Sequence, residues 1–306
     1  MHLGVSQSCP RSGTNQGVPV HKHADMAGER TLNLWLGLLV SGMQSMPVPP
    51  EITQLVNSSG NTFHARVARW LRDKEWHIVV SPYYMDQTQN KAREIDLIAE
   101  KLWPVPGRFG NSDGYVAVRL FVECKFVPSH SVFWFAEKSR SEALALVCSS
   151  GEFPENNIYT EKHHYLAQSQ RVAKLFATSG GRAQEAEPFY KALNQSLNAT
   201  VAMRGMPLSV PSPKSRLHNV RSVLEFPVVV CSSFDNLFAV DFYADTEPEP
   251  ITQNFQLEVR YAYIDQKSRM RDEYFLLDFV EFSQLDQYVE WIDEDAKKAA
   301  AFSGDK

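Results

Sequence analysis

The pattern of hydrophobic and polar residues between positions 49 and 130 predicts one helix followed by three strands. The helix spans residues 63–74, where four apolar residues recur at i, i+4, i+7 and i+8 and form one stripe: Phe63, Val67, Trp70 and Leu71. Three mostly apolar runs, each bounded by polar or Pro- and Gly-rich turns, are predicted strands: residues 76–84, 92–102 and 115–126. A loop rich in Pro and Gly joins the second and third strands, so we expect them to be neighbours in one sheet.

The rest of the chain continues with helices and then returns to strands. Helical stretches are predicted over residues 131–147, 161–178 and 185–203. Four strand-like runs follow, over residues 222–231, 236–243, 255–263 and 273–280, and a helix over residues 283–302 closes the chain's predicted elements. The last third either extends the central sheet or forms a small α+β unit. Strands and helices that follow one another in this way indicate the α/β class.

Two of the predicted strands carry charged residues where a buried strand should be apolar. Glu123 and Lys125 are two residues apart, so in a strand they point to the same face, about 6–7 Å apart along the chain. Asp96 interrupts the apolar run of the preceding strand in the same manner. Burying such groups costs several kcal/mol per ion unless something compensates for it. Two carboxylates and one amine that meet at a single point would form a divalent-cation site with a cation beside it.

The spacing of these residues resembles the signature of the PD-(D/E)xK nuclease superfamily. Asp96 is followed, after 26 residues, by Glu123-Cys124-Lys125, and both parts of the motif lie on adjacent predicted strands after an amphipathic helix. The resemblance covers residues 50–178 and is nearest in character to the Mrr-type nucleases. It implies a restriction-endonuclease-like α/β core, with a central mixed sheet flanked by helices, and a C-terminal α+β extension.

The resemblance also implies a role for each residue of the motif. Asp96 and Glu123 would be oxygen ligands of Mg²⁺, for which Mn²⁺ can substitute, and the backbone carbonyl of Cys124 would complete the ligand set. Lys125 would orient or help to deprotonate the attacking water and stabilise the charge on the phosphoryl group. The expected product of cleavage is a 5′-phosphate.

Three further residues are candidates for assisting this site. Glu94 lies on the same predicted strand face as Asp96, and relatives of the superfamily use a glutamine on a helix after the motif, for which Gln168 and Gln170 are the candidates. Each also has a simpler interpretation as an exposed side chain. The first helix carries carboxylates only at its far end, which leaves a two-metal mechanism without support.

Two pairs of adjacent residues have both a functional and a structural interpretation. The pair His163–His164 would serve as a proton shuttle or ligand, or would lie on the surface at a helix cap. The pair Phe133–Trp134 would stack on bases or pack in the core. In both cases we favour the structural interpretation, a surface pair for the histidines and core packing for the aromatic residues.

Composition divides the chain into four parts. These are a poorly structured leader (residues 1–48), a nuclease-like core (49–205), a basic Pro- and Ser-rich linker (206–221) and an acidic α+β region (222–306). From Glu225 onward there are 18 acidic and 7 basic residues, which gives a net charge of −11. Because the net charge of the whole chain is −5, the first 224 residues carry a net charge of +6. Three arginines on the polar face of the first helix, Arg66, Arg69 and Arg72, are candidates for contacting phosphates or form a solvated face.

The cysteines and the amino-terminal residues favour a cytoplasmic protein. The four cysteines have no CxxC spacing, which disfavours a zinc knuckle or a disulfide framework. The apolar run at residues 32–40 is far shorter than the ~20 residues that span a bilayer, and no small-residue cleavage pattern follows it. We expect no membrane association.

The function expected from these observations is that of a Mg²⁺-dependent endonuclease acting on DNA. The chain has no G-x-S-x-G elbow, phosphate-binding loop or H-E-x-x-H motif, which disfavours serine hydrolases, P-loop NTPases and zinc proteases of those types. A homodimer is compatible with this function because nucleases that cut both strands commonly dimerise. The alternative is a catalytically silent nuclease-fold module that binds nucleic acid or a protein partner.

Overall fold

The computed structural model of the chain describes residues 48–107, 112–179, 188–210 and 220–304. The described residues from Thr53 onward belong to one compact unit, and residues 48–52 lie outside that unit. The predicted leader up to residue 47, with its apolar run, and residues 211–219 of the predicted linker therefore lie outside the described residues.

Six α-helices are found in the described part of the chain. They are α1 (Pro50–Ser58), α2 (Gly60–Asp73), α3 (Arg140–Ser149), α4 (His164–Ala167), α5 (Pro188–Met203) and α6 (Leu285–Gly304), with 3₁₀ turns at Thr160–Lys162 and Phe282–Gln284. The helix predicted over residues 63–74 is confirmed as α2, and its apolar stripe buries Phe63, Val67 and Leu71.

Ten strands of the described residues form one mixed sheet, and two others form a separate hairpin. The strands are β1 (His77–Val80), β2 (Tyr83–Asp86), β3 (Lys91–Glu94), β4 (Leu97–Pro106), β5 (Ser112–Lys125), β6 (Ser131–Glu137), β7 (Arg171–Thr178), β8 (Val220–Cys231), β9 (Leu237–Asp241), β10 (Glu249–Pro250), β11 (Phe255–Ile264) and β12 (Met270–Glu281). The sheet order is β1-β4-β5-β8-β12-β11-β7-β6-β9-β10, and β2 pairs with β3. A large mixed sheet flanked by helices confirms the predicted α/β class.

Strand β5 is the best-paired strand near the candidate site. It is antiparallel to β4 and parallel to β8, and both ladders extend along nearly its whole length. The next pair is much shorter, since β8 and β12 are joined only from Val228 opposite Asp278 to Cys231 opposite Glu281. Of the two alternatives for the last third of the chain, the molecule therefore adopts the first, because β8, β12 and β11 lie inside the central sheet.

The two faces of β4 and β5 pack against different helices because successive side chains of a strand alternate between faces. Leu97 and Val122 belong to the apolar cluster that includes α2 and α6. Ile98 and Phe121 belong to the cluster that includes Ala199 of α5. Glu123 follows Phe121 at the next position of the same face, so its side chain lies on the α5 side of the sheet.

Two of the predicted helices are wrong in part. Residues 131–137 form β6 before helix α3 begins at Arg140, and residues 171–178 form β7 after the single turn of α4. The reason is tertiary: β6 pairs with β7 on one side and β9 on the other, so its aromatic residues fill the core as strand residues do. Phe133 is fully buried there, which confirms the core interpretation for this residue.

A buried arginine joins three strands to the segment that follows α5. Arg119 of β5 is the largest fully buried side chain of the described residues. Its Nε donates to Glu100 Oε1 of β4 at 2.7 Å, and Nη1 donates to Glu225 Oε1 of β8 at 3.4 Å. The remaining N–H groups donate to three backbone oxygens at or just beyond the end of α5, those of Met203, Met206 and Pro207. All five N–H groups of the guanidinium thus have an acceptor.

We predict that Arg119→Ala lowers the free energy of unfolding by about 3–5 kcal/mol, because it leaves Glu100 buried without its cation. Lys297→Ala is the control, since Lys297 forms an exposed ion pair with Glu294 that contributes about 0–1 kcal/mol. Urea unfolding followed by tryptophan fluorescence measures both. Equal stability of the two variants would contradict the central role of Arg119.

Candidate active site

Asp96 lies at the bend between β3 and β4. Two backbone hydrogen bonds tie this bend to the corner between β1 and β2, from Ser81 N–H to Asp96 O (2.8 Å) and from Ile95 N–H to Pro82 O (3.2 Å). The strand predicted over residues 92–102 is therefore interrupted here, and Asp96 immediately precedes β4. Because Leu97 pairs with Val122, the bend lies beside the end of β5.

The three residues of the motif come together at this point. The amide of Cys124 donates to Asp96 Oδ2 at 2.8 Å, and the amide of Asp96 lies 3.4 Å from Glu123 Oε1. Lys125 Nζ donates to Glu123 Oε2 at 3.0 Å. Two carboxylates and one ammonium group thus meet where β4 begins and β5 ends.

The pKa of Glu123 is shifted strongly in this cluster. Its side chain is fully buried, and this burial is the main reason that its pKa is raised to about 7. The ammonium group of Lys125 opposes the rise, and the negative charge of Asp96 adds to it. The cluster holds two carboxylates and only one cation, so one negative charge has no partner within the cluster.

The predicted helper residues do not join this cluster. The carboxylate of Glu94 accepts a hydrogen bond from the Tyr83 hydroxyl, which raises the pKa of the tyrosine. Gln168 and Gln170 directly precede β7, four strand positions from β5, which is ~19 Å at the usual strand spacing. The backbone oxygen of Gln168 accepts a hydrogen bond from Lys138 Nζ at 3.0 Å.

The predicted phosphate-contacting arginines lie on α2, which packs on the other face of the sheet from Glu123. Arg66, Arg69 and Arg72 are all exposed. The guanidinium of Arg66 lies over the ring of Phe282, 4.3 Å from its centroid. Because Phe282 directly follows the end of β12, this contact places the first part of α2 at the same edge of the sheet as Asp96.

Sequence reasoning missed a glutamine that does lie beside the site. Gln195 of α5 donates from Nε2 to the backbone oxygen of Glu94 at 2.8 Å, and its Oε1 is buried without a hydrogen-bond partner in the structure. The neighbouring Ser196 hydroxyl donates to Phe121 O at 2.9 Å. The sequence did contain a signal for it, the polar residues on one face of the helix predicted over 185–203. When such a helix packs on a sheet, its buried polar side chains must find hydrogen-bond partners there.

A second cluster of charged groups is buried between β12, α4 and α6. The group His163, His164 and Asp295 could hold a metal ion, since its ligand atoms lie within 4.8 Å of one another. His163 also lines a cavity of about 580 Å³ between β8 and β12. The interpretation of the two histidines as a surface pair is wrong, because both are buried.

Both ring nitrogens of His164 contact a carboxylate without an ion. His164 Nδ1 lies 2.5 Å from Asp295 Oδ2, and its Nε2 lies 3.2 Å from Asp278 Oδ2. Two atoms bound to one zinc ion at ~2.0–2.2 Å in tetrahedral geometry would be ~3.3 Å apart, wider than the first of these contacts. Burial alone lowers the pKa of His164, but the two carboxylates outweigh it and raise this pKa to about 9. We therefore interpret His164 as an imidazolium that bridges two buried carboxylates.

We predict that His164→Gln lowers the free energy of unfolding by about 3–5 kcal/mol, because Asp278 and Asp295 lose the cation between them. The folded pKa of His164 is above its ordinary value of 6.5, so its contribution is complete below pH 6.5 and is lost as the pH rises through about 9. Thermal and urea unfolding across this range should show that loss in the wild type and not in the variant.

Two controls accompany this measurement. His130→Gln changes an exposed histidine and is expected to alter stability by less than about 0.5 kcal/mol. The wild type is also unfolded with EDTA and with added Zn²⁺. A melting temperature that falls with EDTA and is restored by Zn²⁺ would contradict the imidazolium bridge and establish a metal site.

Comparison with known proteins gives no relative: the chain matches no family model, no curated protein and no solved structure. Every helix in the described part of the chain is too short or too polar to cross a membrane. The geometry of the sites therefore carries the functional argument alone.

Proposed function

We propose that the protein is a Mg²⁺-dependent nuclease that hydrolyses phosphodiester bonds in DNA, with Asp96, Glu123 and Lys125 as its catalytic residues. The observation that carries the proposal is the convergence of these three side chains at the junction of β4 and β5. Residues 27 positions apart in sequence meet there in the arrangement that the PD-(D/E)xK resemblance implies.

The order of elements around the site supports the same proposal. Helix α2 is followed by β1, β4 and β5, which are joined in antiparallel fashion, and β8 then pairs with β5 in parallel. Helix α5 is the described element directly before β8. It packs on the face of the sheet that carries Phe121, and its Ser196 hydroxyl donates to the backbone oxygen of Phe121 on β5. A restriction-endonuclease-like core is expected to contain a first helix, then three antiparallel strands, and then a second helix followed by a parallel strand.

The residues present fit a magnesium ion. Asp96 and Glu123 are hard oxygen donors, and Mg²⁺ is commonly bound through one or two carboxylates while it keeps several waters. A divalent cation would balance the second carboxylate of the cluster and would favour the ionised form of Glu123, whose pKa is raised mainly by burial. The hydrogen bond from Cys124 to the Asp96 carboxylate comes from the backbone amide of Cys124. When bound, the ion would supply Lewis-acid stabilisation of the charge that develops on the phosphoryl oxygens.

The side chains themselves have distinct tasks in the hydrolysis. Lys125 is held by Glu123 and is partly exposed, so its ammonium group can reach a water at the sheet edge. It orients that water and stabilises the negative charge of the pentavalent phosphorus. A bond forms between the water oxygen and phosphorus as the bond to the 3′-oxygen breaks. The water loses a proton, the leaving oxygen gains one, and the products are a 5′-phosphate and a 3′-hydroxyl.

The alternative is a catalytically silent nuclease-fold module that binds nucleic acid or a protein partner. Two observations favour the active enzyme over it. Asp96, Glu123 and Lys125 are all present and in contact, and a buried carboxylate and a half-buried one beside a single lysine are a poor way to stabilise a fold.

We predict that the purified full chain nicks or linearises supercoiled plasmid with Mg²⁺ or Mn²⁺ and that EDTA abolishes the reaction. Lys125→Ala and Asp96→Ala should each lower the rate by about 100-fold or more, because each removes a group that acts on the reacting atoms. Gel electrophoresis of the plasmid over time measures the rate.

Lys174→Ala is the matched control, since Lys174 is also a partly buried strand lysine paired with a glutamate, Glu258, but on β7. It should cleave like the wild type. Cleavage that survives both site substitutions would refute the assignment of the site. A wild type that cleaves neither plasmid, single-stranded DNA nor RNA would refute the nuclease and favour the silent module.

A further inference from the structure

The central sheet is split between β8 and β12. Each strand has 12 residues and the two run parallel, yet the ladder joins only residues 228–231 to residues 278–281. Before that point β8 pairs with β5 alone among the described strands, and β12 pairs with β11 alone. The cavity of about 580 Å³ that His163 also lines lies between the separated halves of the two strands. We call this cavity the sheet gap.

The sheet gap lies at the edges of the two strands rather than over one face of the sheet. Five consecutive residues of each strand line it, residues 223–227 of β8 and 272–276 of β12. Because consecutive side chains of a strand point to opposite faces, a cavity that reaches all five must contact the strand edge. Ala145 and Ser149 of α3 also line the gap and are exposed, so the gap opens to solvent.

The strand edges that face the gap have no partner strand. No hydrogen bond among the described residues joins residues 223–227 to residues 272–276. One of the carbonyls is capped by a side chain, since the Tyr165 hydroxyl donates to Leu276 O at 3.0 Å. The backbone groups of alternate residues point to opposite neighbours, so about half of the residues in each range face the gap. Buried backbone groups are nearly always paired, and a row of unpaired ones marks a place that accepts another strand.

The sequence gives a reason for the split at this point of β8. Pro227 has no amide to donate, and the ladder with β12 begins at the next residue, Val228. Proline inside a sheet is confined to places where its strand lacks a neighbour or bulges. A proline at the last position before the ladder therefore agrees with two strands that separate there.

One guanidinium group spans the gap on the α5 side. Arg204, which directly follows α5, donates from Nη1 to Glu273 Oε2 at 2.9 Å, and its Nε lies 3.9 Å from Glu225 Oε2. Glu273 belongs to β12, and Glu225 belongs to β8, where it also accepts from Arg119. Since Arg119 pairs with Glu100 as well, three carboxylates share two guanidinium groups. One carboxylate on this side of the gap is therefore in excess.

The opposite side of the gap is apolar. Leu224, Phe226 and Leu276 are buried, and they belong to the apolar cluster that includes Val147 of α3. Leu224 and Phe226 flank Glu225 on β8, so they point to the other face of the sheet. A strand inserted in the gap would therefore present its alternate side chains to carboxylates on one face and to apolar side chains on the other.

We propose that the sheet gap binds an extended peptide segment of a partner protein, which adds as a strand between β8 and β12. Its basic residues face Glu225 and Glu273, and the apolar residues that alternate with them face Leu224 and Phe226. Five extended residues span about 16 Å, the length of each free edge. A peptide fits better than a compact small molecule because only another backbone offers amides and carbonyls at the spacing of these edges. This inference does not depend on the proposed nuclease function.

The experiment compares two labelled synthetic peptides of lysine and valine that have the same composition and a length of about seven residues. In one peptide the two residue types alternate, and in the other the lysines are consecutive. Fluorescence anisotropy measures the binding of each to the full chain. We expect the alternating peptide to bind at least about tenfold more tightly, because only alternation places every lysine of an extended strand on the face of Glu225 and Glu273. The two peptides have equal charge, so the difference isolates strand insertion from charge attraction.

Hydrogen exchange measured by mass spectrometry locates the bound peptide. In the free full chain, the gap-facing amides of residues 223–227 and 272–276 should exchange faster than the amides of residues 228–231 that pair with β12. A saturating concentration of the alternating peptide should slow exchange in the first two ranges by at least about tenfold, because the peptide supplies their missing hydrogen bonds.

Two variants test the gap itself, each beside a matched control. Ala145→Trp fills the gap from α3 and should weaken binding of the alternating peptide by at least about tenfold, whereas Ser141→Trp, at an exposed position of α3 outside the gap, should not change it. Glu273→Gln removes a carboxylate and should weaken binding by about three- to tenfold, whereas Glu290→Gln, at an exposed position of α6, should have no effect. Thermal unfolding confirms that each variant is folded.

Three results would overturn the inference. Equal binding of the two peptides would mean charge attraction alone, and failure of both to bind would mean that the gap takes no such strand. Binding that survives both Ala145→Trp and Glu273→Gln, or that leaves exchange of residues 223–227 and 272–276 unchanged, would place the peptide elsewhere on the protein. None of these measurements uses DNA cleavage, so their failure leaves the proposed nuclease untouched.

Discussion

The buried guanidinium of Arg119 is the contact on which the arrangement of this fold depends. It joins β4, β5 and β8 to the segment after α5, and every one of its N–H groups has an acceptor. Glu100, its main partner, also accepts the amides of Ser209 and Val210 at 2.6 and 2.8 Å. Because Arg119 and Glu123 lie on the same face of β5, this network holds the strand that carries the candidate active site.

Three buried ionic clusters of the described residues each hold two carboxylates and one cation, and they differ in what the cation contacts. Arg119 contacts both Glu100 and Glu225, and His164 bridges two carboxylates through both ring nitrogens. In the cluster of Asp96, Glu123 and Lys125, the ammonium group pairs with Glu123, whereas Asp96 accepts its hydrogen bond from a backbone amide. A carboxylate placed beside a buried carboxylate without a cation of its own is costly for folding, which favours a functional explanation for this cluster.

The site was more predictable from the sequence than the surrounding fold. Charged residues inside apolar runs, together with the resemblance, predicted that Asp96, Glu123 and Lys125 lie together, and they do. Charge alone would not have selected them, because the same strands also bury Glu100 and Arg119 as an ion pair. The strands β6 and β7 were predicted as helices because Phe133, Trp134 and their neighbours fit either period until their pairing partners are known. Gln195 was missed, and Gln168 and Gln170 were chosen instead, because sequence does not show which helix packs beside the motif.

The parallel pairing of β5 with β8 has a consequence for the order in which the chain folds. Arg119 and Glu225 meet although 106 positions separate them, and β6, α3, β7 and α5 lie in the intervening chain. The hairpin of β4 and β5 can close early because it is local, whereas contacts between distant residues form late. During synthesis β5 therefore lacks its parallel neighbour until β8 has left the ribosome. A chain truncated before that point holds all three motif residues together with the strands β1, β4 and β5, and one edge of β5 then has no partner strand.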